Sequence, residues 1–413
     1  MLDIKALCVS AKQASYNLGG MAEDKKNKIL TAIASSILSN KDYILAENKK
    51  DINNLIGKDN TFLDRLTLTE SRIKTMSDGI MEIVKLPDPV GEIVEKWTTE
   101  SGLEISKVRA PLGVIGVIYE ARPNVTIDVA GLCIKTGNAV ILRGGSDAIN
   151  SNRALYNVMK DAIQSIGESS DFIQFVNDTD RCLTTAMLKQ GDYIDVIIPR
   201  GGDKLKKLVL ENATMPVIAS SGGNCHIYVD SDVDLDIASK VILNAKVQRP
   251  TVCNALEQLL INKDILPKAV PVLFAELEKA GVSIKCDKEC AKYYKNVQLA
   301  SEEDYYEEHL ALLITVKSVA NVDEAIEHIN THSTGHSEGI ISNNKDNINK
   351  FTTKVDSGCV YVNASTRFTD GFQFGFGAEI GISTQKLHAR GPLGLKQLTS
   401  EKYIAVGNGT IRK

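Results

Sequence analysis

Short apolar runs alternate with helical patterns through the middle of the chain, and this alternation most constrains the fold. The apolar runs are rich in valine and isoleucine and cover residues 114–119, 139–143, 172–176 and 194–198. Helical patterns at residues 150–166 and 179–188 lie between them. Alternating strands and helices indicate right-handed crossovers and therefore a mostly parallel, doubly wound sheet. Sheets of this kind bind nucleotides at the carboxyl ends of their strands.

The composition narrows the class of protein further. A chain of 413 residues is too long for one ordinary core and predicts two domains or more. The net charge of -4 and the pI near 6.0 give no basic footprint for nucleic acid. No apolar run approaches the roughly 18 residues of a membrane-spanning helix, and the first residues lack the basic and apolar parts of a signal peptide. We therefore expect a cytoplasmic protein with no membrane partner.

Two of the predicted strand ends carry paired glycines. The motifs are Arg143-Gly144-Gly145-Ser146 and Pro199-Arg200-Gly201-Gly202. Glycines let backbone amides approach a phosphate, a following helix offers its positive N-terminus, and arginine adds charge. Each motif alone is equally typical of an ordinary glycine turn, and the G-x-G-x-x-G fingerprint is absent. Two such motifs on consecutive crossovers favour nucleotide binding.

One cysteine lies between two periodic patterns further along the chain. Helical spacing is visible over residues 235–245, an apolar run covers 259–261, and Cys253 lies between them. Pro250 cannot continue the helix, and Arg249 before it is biased toward extended geometry, so we expect Cys253 in a tight loop. A thiol with its ordinary pKa is mostly protonated at neutral pH, so a nucleophilic role requires help from neighbouring groups. The alternative is a small buried hydrophobic residue.

The other cysteines and the histidines give no metal motif. Eight cysteines in a cytoplasmic chain of this size are expected to be free thiols. Cys286 and Cys290 form a close pair, but no second Cys or His cluster nearby completes a tetrahedral site. His332 and His336 are separated by Ser-Thr-Gly, which breaks helical geometry. No metal site is predicted.

Three further segments show their secondary structure by pattern. Residues 5–86 have helical spacing, with apolar residues on one face. Residues 91–109 contain two extended runs, GEIVEKW and LEISKVR, joined by a polar turn that ends in Gly102, and therefore predict a protruding hairpin. The tail ends in an extended run, EKYIAVG, which is expected to dock against another element.

Four long motifs resemble one known family. They are YEARPNVT from Tyr119, SSGGNCHIYVD from Ser220, VQRPTVCNALE from Val247, and VYVNASTRFTDG from Val360 running into AEIGISTQKLHARGP. In this order they resemble the gamma-glutamyl phosphate reductases, also called glutamate-5-semialdehyde dehydrogenases, of the aldehyde dehydrogenase superfamily. Four long motifs in order are far more specific than a single short one. The resemblance favours the nucleophile interpretation of Cys253.

The resemblance implies a fold and a division into domains. The fold class is α/β and aldehyde dehydrogenase-like: a doubly wound parallel-sheet nucleotide-binding domain, an α/β catalytic domain and a protruding oligomerisation hairpin. Residues 1–88 and 112–224 are predicted to form the NADP-binding domain, and residues 225–386 the catalytic domain. Residues 89–111 and 387–413 are predicted to form the oligomerisation hairpin and C-terminal segment. A homo-oligomer, dimer or tetramer, is therefore expected.

The resemblance also implies a reaction. It is the NADPH-dependent reduction of L-glutamate 5-phosphate to L-glutamate 5-semialdehyde and phosphate through a Cys253 thioester, the second step of proline biosynthesis. Functional coupling to glutamate 5-kinase is a further possible consequence. Two other classes stay open at this point: an aldehyde dehydrogenase that hydrolyses its thioester, and a non-catalytic nucleotide-binding scaffold on the same fold. The intact Cys253 motif disfavours the scaffold.

Matching the motifs residue by residue implies further roles. Asn124 corresponds to the superfamily's oxyanion asparagine, which would act with the backbone N–H of Cys253, although a turn asparagine after proline is the alternative. Glu308 matches a glutamate near the nicotinamide ribose, although an acidic run at this place is usually a solvated face. Hydrolytic relatives carry a general-base glutamate in a Glu-Leu-Gly-Gly motif, and in this chain Ser220 takes its place.

The substrate carries an α-carboxylate and an α-ammonium that need fixed partners. Arg367 is the first candidate for the carboxylate, because a guanidinium binds this planar group in a bidentate manner, although most arginines are merely solvated. Ser365 and Thr366 would add hydroxyl groups, and Arg122 is assigned to the same substrate site. His388 is either a general acid or an interface histidine.

The sequence predicts that NADPH is preferred over NADH. Relatives that use NAD commonly carry glutamate three residues after the position of Arg143, where it meets the ribose 2′-hydroxyl, whereas this chain has Ser146. Arg143→Ala should therefore raise the apparent Michaelis constant for NADPH more than that for NADH. Steady-state kinetics with both cofactors measure this difference, and equal increases would contradict it.

Overall fold

A computed structural model describes residues 2–55, 60–120, 122–220 and 222–412. Backbone contacts divide the chain into two units. The first unit comprises Met1–Ala219, Gly375–Gly381 and Leu393–Lys413. The second unit comprises Ser220–Phe374 and Ile382–Pro392.

The first unit begins with helices and continues as an alternating α/β segment. Its helices are α1 Ile4–Gly19, α2 Glu23–Ser39, α3 Lys41–Asn53, α4 Asn60–Leu66, α5 Glu70–Lys85, α6 Asn124–Lys135, α7 Ile149–Ser165, α8 Cys182–Leu188 and α9 Asp203–Asn212. Its strands are β1 Ile93–Thr98, β2 Glu104–Pro111, β3 Val114–Tyr119, β4 Ala139–Gly144, β5 Ile173–Phe175, β6 Val196–Arg200 and, from the C-terminal tail, a strand at Thr399–Val406. The predicted alternation of strands and helices is confirmed.

Four of these strands form a parallel sheet in the order β5-β4-β3-β6. Every residue of β3 is buried, which explains why the strand is a continuous apolar run. The chain moves outward from β3 to β5 and then returns to the other side of β3, so the sheet is doubly wound. In the register of the sheet Tyr119 pairs with both Gly144 and Arg200. The ends of three strands therefore meet at the reversal point, where such sheets bind ligands.

A separate antiparallel sheet contains the hairpin of β1 and β2 and the C-terminal strand. The hairpin register runs from Thr98 opposite Glu104, so the predicted hairpin is confirmed. The C-terminal strand pairs with the other edge of β2, which is the docking expected for the tail. All residues of β1 are exposed, and Trp97 packs edge to face against Tyr403 at a centroid distance of 6.1 Å.

The second unit is built on a larger parallel sheet. Its remaining strands in chain order are β7 Cys225–Val229, β8 Leu256–Asn262, β9 Ser283–Cys286, β10 Gln298–Leu299, β11 Leu313–Val319, β12 Ser337–Ile341, β13 Cys359–Val362, β14 Ile382–Ser383 and β15 Gly391–Pro392; the tail strand of the first unit is β16. The helices are α10 Leu235–Val247, α11 Leu266–Lys279, α12 Val322–His332 and α13 Lys345–Lys354. Seven strands pair in the order β10-β9-β11-β8-β7-β12-β13, and β14 pairs with β15. The core of this unit lies around β7 and β8, whose residues are all buried.

The observed units and the predicted domain bounds differ in three places, one of which is Gly375–Gly381: this segment belongs to the first unit, although the catalytic domain was predicted to extend from residue 225 to residue 386. The second unit begins at Ser220, whereas the catalytic domain was predicted to begin at residue 225. The hairpin and most of the tail belong to the first unit, because β16 pairs with β2, while residues 382–392 belong to the second. The assignment of these segments to cofactor binding, catalysis and assembly stays a prediction.

No helix within the described ranges is both long enough and apolar enough to cross a membrane.

Asp51 of α3 closes the N-terminus of α7. Its buried carboxylate accepts hydrogen bonds from the backbone N–H groups of Asn150 and Ser151, at 3.2 and 2.8 Å. It also accepts from the Asn150 amide and the Ser151 hydroxyl, at 2.8 and 2.6 Å. A carboxylate at this end of a helix satisfies unpaired N–H groups and interacts favourably with the helix dipole.

We predict that Asp51→Ala lowers the free energy of unfolding by about 2–3 kcal/mol, because it leaves buried donors unsatisfied. Urea denaturation of the full chain measures the change. The matched control is Lys49→Ala, an exposed position of the same helix, which should stay within about 0.5 kcal/mol of the original chain. Equal effects of the two substitutions would contradict the role of Asp51.

Candidate active site

A loop between α10 and β8 carries Cys253. α10 ends at Val247, β8 begins at Leu256, and Pro250 lies in the turn that follows the helix. Proline cannot extend the helix, so the chain leaves it at this point. The Cys253 side chain is half-buried. The predicted loop position is confirmed, and the nucleophilic role of Cys253 stays a prediction.

Two residues of the preceding segment hold the carbonyl group of Cys253. A Cβ atom added to Gly223 would overlap this carbonyl and would lie 2.8 Å from the Cys253 Cα, so only glycine fits. The Cys225 thiol donates a hydrogen bond to the same carbonyl oxygen at 3.1 Å. Burial, and next the charge of Glu338, raise the pKa of Cys225 well above its usual range. Cys225 therefore stays a neutral donor, and the two contacts fix the conformation of the loop.

The segment containing Arg367 packs directly against the loop. Thr366 donates its hydroxyl hydrogen to the Asn254 carbonyl at 2.7 Å, and the Asn254 amide donates to the Thr369 carbonyl at 2.8 Å. The Arg367 guanidinium donates from Nη1 to the Asn254 side-chain oxygen and from Nε to Gln248 at 2.8 Å. The structure therefore brings Thr366 and Arg367, two of the four predicted substrate residues, to the cysteine loop within the second unit.

Two guanidinium groups, those of Arg249 and Arg367, lie near each other at this loop. Burial and then the neighbouring Arg249 guanidinium lower the pKa of Arg367. Its Nη2 group donates to no residue in the described parts of the chain, so donors are available for a bound carboxylate. Two neighbouring guanidinium groups can attract an anionic substrate to this segment.

The Glu308 carboxylate packs against the Gly222-Gly223 pair. Its Oε1 atom accepts a hydrogen bond from the Gly223 N–H at 2.6 Å, and its carboxylate fills the space where a Gly222 Cβ would lie. Two residues later Leu310 has a positive φ of 52°, which is strained for a leucine. The predicted nicotinamide-ribose residue is therefore connected to the cysteine loop through Gly223.

The end of β4 differs from the phosphate cradle predicted for it. Arg143 is buried, and its guanidinium donates to the carbonyls of Gly144 and, at 3.2 Å, of Asp180. The space at Gly144 is occupied by the Asn152 side chain. The N–H groups of α7, which were expected to bind phosphate, instead donate to Asp51. The partly exposed Gly145 and exposed Ser146 are the part of this motif that a cofactor can reach.

The end of β6 differs from the end of β4 in the backbone N–H groups of the helix that follows it. Glu120 accepts from the Gly202 N–H at 2.9 Å, and Gly201 packs against the same carboxylate. The following N–H groups of Asp203 and Lys204, in the first turn of α9, have no acceptor among the described residues. Unpaired N–H groups at a helix N-terminus bind phosphate. The N-terminus of α9 therefore keeps unpaired N–H groups while first-turn N–H groups of α7 are already paired, and cofactor binding at either motif stays a prediction.

Asn124 is the first residue of α6, directly after β3 in the chain. Its side-chain amide donates to the Asp128 carboxylate at 2.9 Å, which fixes the orientation of the amide and leaves its second N–H hydrogen for another acceptor. Burial raises the pKa of Asp128 to about 6, and the Asn124 hydrogen bond and the Arg200 charge oppose this shift. Arg122, the other site residue predicted here, is exposed.

Within each unit, the predicted site residues have contact partners that the sequence did not identify. They are Asn254, Gln248, Cys225 and Asp128, and all contact a predicted site residue. Asn254 follows the cysteine directly, and Asp128 lies four residues after Asn124 on one helix face, so spacing could have indicated both. The roles of Gln248 and Cys225 depend on contacts between distant segments.

His388 is exposed and has a positive φ of 68°. Both of its predicted roles, general acid and interface residue, stay predictions. Across the ranges described above, no group of three or more His, Cys, Asp and Glu side chains is arranged to hold a metal ion.

Comparison with known proteins defines the class. The model of the aldehyde dehydrogenase family matches residues 2–292 and 295–402. The chain therefore belongs to the aldehyde dehydrogenase family, and the fold class predicted from the sequence is confirmed.

Relatives within the family are more specific. A gamma-glutamyl phosphate reductase from Clostridium botulinum (strain Alaska E43 / Type E3) is 51% identical over 404 residues, which cover 97% of this chain and 98% of that protein. The gamma-glutamyl phosphate reductase from Caldicellulosiruptor bescii is 51% identical over 419 residues, 100% of each chain. The crystal structure of the enzyme of the same name from Thermotoga maritima has a TM-score of 0.98 at 43% identity and covers 100% of both chains. The resemblance inferred from the four motifs is confirmed.

We predict that Gly223→Ala lowers kcat roughly 10²-fold, because the new methyl group displaces the Cys253 carbonyl and misplaces the sulfur. Steady-state kinetics and the rate of Cys253 alkylation by iodoacetamide measure the effect. Gly79→Ala in α5 is the control, since an added Cβ meets nothing within 4 Å. A Gly223→Ala protein with unchanged kcat would show that the loop does not depend on this contact.

Proposed function

We propose that this chain reduces L-glutamate 5-phosphate to L-glutamate 5-semialdehyde and phosphate with NADPH, the second step of proline biosynthesis. The observation that carries the proposal is the half-buried Cys253 on a fixed loop beside Arg367. Relatives that match almost the whole chain carry the name of this activity.

Cys253 is the nucleophile of the proposed reaction. Its thiolate attacks the acyl carbon of the acyl phosphate, the bond between that carbon and the bridging oxygen breaks, and inorganic phosphate leaves. The product is a thioester between Cys253 and the glutamyl group. Arg249 and Arg367 support the first step, because their charges attract the anionic substrate.

Arg367 is proposed to hold the α-carboxylate of the glutamyl group. Its Nη2 donors have no described partner, while Asn254 and Gln248 fix the orientation of the guanidinium. The hydroxyl of Thr366 is used by the Asn254 carbonyl, so Ser365 is the better candidate for a direct substrate contact. Arg122 is exposed and is proposed to contact an anionic group of the substrate, because its guanidinium would repel the α-ammonium.

Asn124 and the backbone N–H of Cys253 are proposed to stabilise the oxyanion that develops on the acyl group. Asp128 holds one hydrogen of the Asn124 amide, so the direction of the second hydrogen is set before substrate binds. Preorganised donors of this kind typically contribute 10²–10³-fold to the rate.

The cofactor is proposed to bind through the N-terminus of α9 and the exposed part of the β4 motif. The N–H groups of Asp203 and Lys204 would hold phosphate, and Arg200 with Gly201 and Gly202 forms the turn that leads into them. When bound, NADPH supplies the hydride that reduces the acyl group on Cys253 to an aldehyde. Glu308 would hold the nicotinamide ribose. Arg143 shapes the β4 end through Gly144 and Asp180, so its proposed effect on NADPH is indirect.

Water is proposed to be a poor acceptor of the acyl group. Ser220 cannot act as a base near neutral pH. The Glu308 carboxylate already accepts a hydrogen bond from the Gly223 N–H, so one of its oxygens is occupied. The thioester therefore waits for hydride or phosphate, and this favours the reductase over a hydrolytic aldehyde dehydrogenase.

Exposed apolar residues support the proposal of a homo-oligomer, dimer or tetramer. On the antiparallel sheet Ile93, Tyr403 and Val406 are 58%, 64% and 59% exposed. Exposed apolar strands of this kind mark an interaction surface. The cytoplasmic location and the coupling to glutamate 5-kinase stay predictions from the sequence.

The reverse reaction tests the proposed function. With glutamate semialdehyde and NADP, reduction of the cofactor should be slow in phosphate-free buffer and should rise steeply when phosphate is added. A missing general base is worth roughly 10²–10⁴ in rate, so free glutamate should be a minor product. Absorbance of the reduced cofactor and chromatography of the products measure both quantities.

Cys253→Ser is the control for this assay and should remove turnover in either buffer, because an alcohol is a poor nucleophile at neutral pH. Rapid release of glutamate without phosphate would move the assignment to the hydrolytic class. No reduction of cofactor with any aldehyde would favour the scaffold.

A further inference from the structure

A buried ion pair spans the base of the cysteine loop. Lys246 lies in the last turn of α10 and Glu257 near the start of β8, and both side chains have no exposed surface. The Lys246 Nζ atom donates to Oε2 of Glu257 at 2.8 Å. Because Cys253 lies between the two residues in the chain, the ion pair closes its loop.

The other oxygen of Glu257 reaches a second loop. Its Oε1 atom accepts a hydrogen bond from the Leu310 N–H at 3.3 Å. Leu310 has the left-handed backbone conformation that leucine rarely adopts, so an external contact is needed to hold it. Two residues before Leu310, Glu308 accepts from Gly223, and Gly223 packs against the Cys253 carbonyl. The contacts therefore form a closed ring from Cys253 back to Cys253.

Stability alone does not explain this pair. Desolvation of two buried charges often costs more than their attraction returns, and apolar residues of similar volume are frequently as stable or more stable. An ion pair differs from apolar packing in direction, since each oxygen of Glu257 accepts from one defined donor. The Lys246–Glu257 pair specifies the geometry of two loops that both belong to the site.

We infer that Glu257, held by Lys246, is a positioning residue that fixes the placement of Cys253 relative to Glu308. The inference rests on the proposed function, in which Cys253 carries the acyl group and Glu308 holds the nicotinamide ribose. Glu257 acts through the backbone of Leu310 and through the base of the cysteine loop.

The electrostatics make this device sensitive to pH. Burial raises the pKa of Glu257 to about 7, and the charge of Lys246 opposes the shift. The ionisable groups that face Glu257 are Lys246 of α10, Glu308 of the Leu310 loop and the neutral Cys225 of β7. Because a carboxyl group gains its proton as the pH falls, the ionised pair is progressively lost as the pH falls through about 7. Burial also lowers the pKa of Lys246, so the pair is lost again in alkaline solution when Lys246 gives up its proton. Positioning should weaken wherever the pair is lost.

Kinetics of the full chain test the inference. Glu257→Gln keeps the shape of the side chain but cannot accept from both Lys246 and Leu310, so kcat should fall roughly 10²-fold and the KM for NADPH should rise several-fold. kcat is expressed per Cys253 that iodoacetamide alkylates in the folded fraction isolated by gel filtration, which removes unfolded protein from the comparison, and KM does not depend on the enzyme concentration. In the original chain the KM for NADPH should rise as the pH falls through about 7, because protonated Glu257 loses the ion pair. This rise should be absent from Glu257→Gln.

Two further variants separate positioning from folding. Asp88→Asn breaks the buried Lys26–Asp88 pair of the first unit. It should lower the stability of the protein and leave kcat per alkylated site and the KM for NADPH unchanged. The double variant Lys246→Met, Glu257→Leu leaves no unpaired charge, so it should fold and still show the loss of kcat and the increase in KM.

The inference would be overturned if kcat per alkylated site and the KM for NADPH were both unchanged in Glu257→Gln and in the double variant. An equal change in Asp88→Asn would also overturn it. Failure of the proposed function is recognised separately, because Cys253→Ser would then retain turnover whatever happens at Glu257.

Discussion

Gly223 lies against the carbonyl group of Cys253, and the geometry of the second unit's site depends on this approach of two backbone segments. No side chain fits between them, so the segment before β7 and the cysteine loop have one relative position. The Cys225 thiol and the Glu308 carboxylate occupy the two sides of this contact. A sulfur that must meet an acyl carbon within a few tenths of an ångström needs such a support, because small misplacements reduce rates strongly.

Local patterns predicted most of the fold. The alternation of β3 to β6 with helices, the hairpin of β1 and β2, and the loop position of Cys253 all follow from interactions between residues that are close in sequence. Continuous apolar runs indicate strands buried on both faces, and Pro250 lies in the turn that follows the end of α10 at Val247. The motif containing Arg367 packs against the cysteine loop, and its predicted role in substrate binding came from family resemblance and not from spacing.

The parts that the sequence could not predict are contacts between distant carboxylates and backbone donors. Asp51 accepts hydrogen bonds from first-turn N–H groups of α7, so these groups are already used at the end of β4. At the end of β6, Glu120 accepts from the Gly202 N–H, and the next two N–H groups, of Asp203 and Lys204, have no acceptor among the described residues. Likewise the Lys246–Glu257 pair looks like two ordinary charges until β8 and the Leu310 loop are in place. Pairing of this kind depends on tertiary structure, whereas propensity and periodicity describe one element at a time.

The account centres on a covalent glutamyl group at Cys253, and mass spectrometry measures this directly. The full chain is mixed with freshly generated L-glutamate 5-phosphate without cofactor, quenched in acid and digested. We predict that the peptide containing Cys253 gains the mass of one glutamyl group, that the modification is absent from Cys253→Ser, and that NADPH added before the quench removes it. An unmodified Cys253 peptide alongside normal turnover, or a glutamyl group on another residue, would contradict the account.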